Sequence, residues 1–162
     1  MRLDLLIKRE NFSEVFNKTL SKYMLEKYNW TGEIVWTKMK YKRTSKVFLA
    51  NHKLNIIYPS NLNRDYLREI VKEYSYNSNF LRRFIQKLYI HFSFSFELLT
   101  TNSMINIKPW SSVFNDICII PGNHSIRLID FKQNLCIVIL KEGFNKDFIN
   151  QELKLRKKHP YL

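Results

Sequence analysis

Lys141 closes the apolar run LCIVIL (135–140), which reads as a strand. Burying an ammonium is costly unless an opposite charge meets it. Lys141 therefore either marks the solvent end of its strand or reaches into a cleft to hold an anion. Two more apolar runs precede it, 117–120 and 126–131. Pro121, Gly122, Asn123, His124 and Ser125 separate the first from the second, and Lys132, Gln133 and Asn134 separate the second from the third. His124 in the first break can donate to a phosphate or simply stand exposed.

A second constellation is KMKYKRTSK (38–46), where Lys38, Lys40, Lys42, Arg43 and Lys46 surround Tyr41. Such a stretch can track a phosphate backbone while the tyrosine stacks a base. It also suits an edge strand whose lysines prevent aggregation. Arg82, Arg83 and Lys87 share one predicted helix, where they face phosphates, acidic lipid or only water. Other chemistries find no support. Cys118 and Cys136 lie in apolar runs without CxxC spacing, and the four histidines form no HxxxH pair. No Ser-His-Asp order or paired-acid site stands out.

The elements that must position these groups follow from periodicity. Phe12, Val15, Phe16, Leu20, Tyr23, Met24 and Tyr28 recur at three- and four-residue spacing and predict a helix over 11–28, with Asn11 or Ser13 as its cap. Residues 33–43 alternate as a strand, with Ile34 and Trp36 on one face, and 46–59 holds two short strands. Asn63 opens a helix striped by Leu67, Ile70, Val71 and Tyr74. A longer helix is predicted over 79–99, with Phe80, Leu81, Phe84, Leu88 and Phe92 as its apolar face and an early end near His91. Residues 100–103 and Pro109 read as breaks.

From 117 to 141 the pattern predicts three strands in an antiparallel meander. A helix follows over NKDFINQELKLRKKH, capped by Asn145, with Asp147 in its first turn and Phe148, Ile149 and Leu153 buried. The fold class is α+β: a mainly helical region with a few short strands over 1–105, then a β-β-β-α segment over 106–162. Cys118, Ile120, Leu128, Val138, Leu140 and Leu153 are expected in the core.

Composition bounds the partners. The 162 residues carry 45% apolar and 25% charged residues, so the chain can build a core. The net charge of +13 favours anionic partners: nucleic acid, phosphorylated ligands or an acidic membrane surface. Free thiols and the absence of a signal-like N-terminus predict a reducing, cytoplasmic setting. The aromatic stretch 80–100 holds Arg82, Arg83, Lys87 and Glu97, and so makes a poor membrane span.

Three strands, a lysine closing the third and a glutamate on the next helix resemble the N-terminal lobe of the protein-kinase fold. CIVILK stands where that family has V-A-I-K. The likeness is nearer to the aminoglycoside-phosphotransferase and lipopolysaccharide-kinase branches, because G-x-G-x-x-G is missing and the lysine-to-glutamate connection is short. It covers about residues 117–162. The resemblance implies that Lys141 holds the phosphates of ATP bound with Mg²⁺ and that Glu152 orients Lys141. It also implies that Gly122, Asn123, His124 and Ser125 cover the phosphates with backbone N–H groups. No H-R-D or H-G-D follows in these residues, so the resemblance implies the N-terminal portion or remnant of a kinase-like phosphotransferase without its catalytic lobe. Residues 1–162 alone are then expected to bind nucleotide without transferring phosphate. The alternative is a basic nucleic-acid-binding module centred on Lys38, Lys40, Lys42, Arg43 and Arg82.

Overall fold

The computed structural model describes residues 3–9, 11–38, 46–74, 79–96, 100–143, 147, 150 and 151. Seven antiparallel strands form one sheet: β1 (Glu33–Lys38), β2 (Phe48–Asn51), β3 (Ile56–Pro59), β4 (Thr101–Lys108), β5 (Ile117–Pro121), β6 (Ser125–Asp130) and β7 (Leu135–Leu140). Their spatial order is β1-β4-β2-β3-β5-β6-β7. The class is α+β. The meander β5-β6-β7 has the expected antiparallel pairing, with Cys118 opposite Ile129 and Arg127 opposite Val138. It is not a separate three-stranded sheet, however, because Ile57 of β3 pairs with Ile119 of β5 and joins it to the upstream strands.

Alternation along the strands sends residues to two apolar clusters, one on each face. On one face α2 (Phe12–Tyr28) packs Phe16, Leu20 and Met24 against Ile34, Phe48, Ile105 and Leu128. The short helix α1 (Leu3–Leu6) adds Leu3 and Leu6 to that cluster. Asn17 fixes the angle of α2 to the sheet: its Nδ2 donates to the Ile34 carbonyl at 2.8 Å, and its Oδ1 accepts from Trp36 Nε1 at 2.9 Å. Asn11 occupies the cap position of α2 in the left-handed region, φ 63°, and its side chain makes no capping bond. On the opposite face α3 (Arg64–Tyr74) and α4 (Phe80–Ser95) cover Leu49, Tyr58, Met104 and Cys118 with Leu67, Val71, Ile90 and Phe94.

Four expectations are corrected. The apolar stripe of α4 does not face the core: Phe80, Leu81, Phe84, Leu88 and Phe92 are exposed, and the sheet side carries Ile90, Ser93 and Phe94. That helix also continues to Ser95 rather than ending at His91. Residues 101–108 form a central strand between β1 and β2, not a break. Last, β7 is an edge strand, so Val138 and Cys136 are exposed and Leu140 is half-buried, whereas Cys118, Ile120 and Leu128 are buried as expected. Asp147, Asn150 and Gln151 are helical, while Asn145, Phe148, Ile149 and Leu153 lie outside the described residues.

Candidate anion site at Lys141

Two hairpins bring the predicted residues together. Asp130 Oδ1 accepts the Gln133 N–H at 2.9 Å, and Asn134 takes the left-handed conformation at φ 52°, so the chain reverses tightly from β6 into β7. At the other end Gly122 N–H donates to the Ser125 carbonyl at 2.9 Å, closing the 122–125 turn between β5 and β6. A Cβ on Gly122 would stand 2.9 Å from that same carbonyl oxygen, which excludes larger residues there without a shift of the turn. Lys141 N–H then donates to the His124 carbonyl at 2.9 Å. Register alone therefore places Lys141 beside Gly122, Asn123, His124 and Ser125. One expected role is reduced, since the Gly122 N–H is already committed to Ser125.

The Lys141 side chain turns toward α2, on the face shared by Ile137 and Ile139. The residue is only 4% exposed. Its Nζ lies 4.5 Å from the Phe12 ring centroid, a cation–π contact. Burial, with a smaller contribution from the nearby Arg9 guanidinium, pushes its pKa from 10.5 down to about 8. Arg9 arrives through the α1–α2 connection: Arg9 N–H donates to Leu6, and Phe12 N–H donates to Arg9. Arg9 also donates from its guanidinium to Asn123 Oδ1 at 3.1 Å. Two cations thus converge on one turn. Among the described residues no carboxylate pairs with Lys141; its neighbour Glu142 binds Lys18 instead, at 2.6 Å.

A cleft of about 160 Å³ opens beside this site between α2 and β7, lined by Lys18, Lys22, Tyr23, Ile139 and Glu142 among others. Glu152, the predicted partner of Lys141, lies outside the described residues. No group of three His, Cys, Asp or Glu able to hold a metal ion occurs among the described residues. Of the nucleic-acid candidates, only Lys38 and Arg82 are among the described residues. Lys38 is exposed at the end of β1 and Arg82 is exposed on α4, while Lys40, Lys42 and Arg43 lie outside the described residues.

Arg9 and Phe12 were not legible as site residues. More than a hundred positions separate them from Lys141, and no local pattern links the α1–α2 junction to the end of β7. The chemistry available is electrostatic: an ammonium and a guanidinium act on one another next to the 122–125 turn, which Lys141 meets through its backbone and Arg9 through Asn123. Comparison of the chain with known protein families, curated proteins and solved structures finds no match.

Proposed function

We propose that the chain is a nucleotide-phosphate-binding lobe of the kinase-like type, with Lys141 and Arg9 as the cations that hold the phosphates. The observation that supports this reading is the ammonium of Lys141, buried at 4% exposure with no carboxylate partner among the described residues. A buried cation without a counter-charge is a standing cost, and a bound anion removes it. At 4 Å and an effective dielectric of about 20, one pair of unit charges gains about 4 kcal/mol. That exceeds the roughly 0–1 kcal/mol typical of an exposed surface ion pair. Phosphate suits the site because it brings several acceptor oxygens at once, for the ammonium and for the planar guanidinium fork of Arg9.

In this reading Asn123 steers Arg9, and the 122–125 turn fixes the position of Lys141. Glu152, the orienting residue of the resemblance, lies outside the described residues and carries no part of this reading. Mg²⁺ arrives with ATP. The acceptor-positioning group and the metal carboxylates of a kinase come from a second lobe, so residues 1–162 are expected to bind without turnover. Calorimetric titration with ATP and with pyrophosphate tests the proposal. Wild type should bind both at low salt, and Lys141→Met should weaken both at least tenfold. Equal affinity of wild type and variant for both ligands rejects the site. Loss of ATP binding alone, with pyrophosphate unaffected, rejects the phosphate role of Lys141.

A further inference from the structure

The apolar arc of α4 is wrong for a helix that merely covers a sheet. At about 100° per residue, the exposed apolar residues Phe80, Leu81, Phe84, Ile85, Leu88 and Phe92 fall within one half of its circumference. They are between 44% and 81% exposed. Tyr89 and Phe96 extend the same arc and are also exposed. The side turned to the sheet holds only Ile90, Ser93 and Phe94 as buried residues, so the more apolar face points outward. The rings of Phe92 and Phe96 stack at 6.0 Å within this outer surface.

The charges on the helix identify what covers it. Residues 80–95 contain no Asp or Glu, and include Arg82, Arg83 and Lys87. On the helical wheel Arg82 stands just beyond one margin of the apolar arc and Lys87 just beyond the other. A second copy of the chain is disfavoured as the occupant, because its α4 would offer no acid to either cation and its net charge is also +13. A surface that is apolar at its centre and anionic at its margins complements both features. That is the interface of a bilayer rich in acidic headgroups, where the rings enter the acyl boundary and the long cations reach back to phosphate. The helix has 16 residues, about 24 Å, against a hydrocarbon core of about 30 Å. No helix among the described residues is long and apolar enough to cross a membrane. A helix of this length suits the interface plane rather than a span.

We propose that α4 is a membrane-docking helix that seats the protein on anionic bilayers through Phe84, Leu88 and Phe92, with Arg82 and Lys87 gripping headgroups on either side. This surface is independent of the Lys141 site. Flotation of the full chain with vesicles of phosphatidylcholine alone, and of phosphatidylcholine mixed with phosphatidylserine, is the test. Wild type is expected to float with the mixed vesicles and to be released by high salt. Arg82→Ala and Lys87→Ala should each weaken partitioning about fivefold. Phe84→Ser combined with Leu88→Ser should abolish it while leaving the thermal melt and circular dichroism of the soluble chain intact, since both side chains already face solvent. Failure of wild type to float with mixed vesicles overturns the proposal. So does equal flotation of the Phe84→Ser/Leu88→Ser variant, or a concentration-dependent dimer that this variant abolishes while lipid binding stays absent.

Discussion

Replacing Lys141 with methionine keeps most of the side-chain volume and removes the charge. Burial and Arg9 hold the Lys141 pKa at about 8 against 10.5, so the protonated form is disfavoured in the folded chain. At 1.36 kcal/mol per pKa unit this amounts to at most about 3 kcal/mol of destabilisation at pH 7, before screening. The lost cation–π contact with Phe12 returns about 1 kcal/mol, so the variant should be more stable than wild type by about 1–2 kcal/mol. The sign with pH follows from the protons bound. Between about pH 8 and 10.5 the folded chain holds fewer protons on Lys141 than the unfolded chain, so this penalty is relieved as pH rises. Over pH 7 to 9 the gap between variant and wild type should narrow by about 1 kcal/mol. Cys118, Tyr23 and Tyr28 are pushed upward by burial and weaken the fold as pH rises, but equally in both proteins, so the difference isolates Lys141. Urea unfolding in phosphate-free buffer, followed by tryptophan fluorescence, measures it. A variant less stable than wild type at pH 7, or a gap that does not change with pH, refutes the buried, uncompensated ammonium.

Phe16 is fully buried against Trp36, with ring centroids 5.3 Å apart, and Phe16→Ala should cost about 3–5 kcal/mol in the same urea experiment. Asn17→Ala leaves the Ile34 carbonyl and Trp36 Nε1 without their bonds and should cost about 1–3 kcal/mol. Thiol labelling should separate the cysteines: exposed Cys136 reacts in the native chain, whereas buried Cys118 reacts only once the protein unfolds.

The helix α2 and the hairpins of the meander were legible because each repeats a strong local period, and tight turns leave the register little freedom. Lys141 and the 122–125 turn were legible as neighbours for the same reason. The orientation of α4 was not. Its stripe is evident in the sequence, but periodicity says which residues share a face and nothing about which face meets the sheet. Strand β4 escaped because TTNS reads as a turn, and only its pairing with β1 and β2 overrides that local preference. The exposure of Val138 had a similar origin. A run of six apolar residues suggests burial on both sides, yet β7 stands at the sheet edge, where Ile137 and Ile139 pack on the α2 side while the face with Cys136 and Val138 is exposed. Arg9 and Phe12 joined the candidate site through tertiary packing of α2, which no spacing rule foresees.

The central claim, that phosphate neutralises Lys141, is tested most directly by following the Lys141 Cε methylene signals by NMR through a pH titration, with and without saturating pyrophosphate. The free chain should titrate near the depressed value of about 8. Pyrophosphate should move that midpoint upward, toward or above the ordinary lysine value, because a contacting anion stabilises the ammonium. A midpoint unchanged by pyrophosphate would contradict the account.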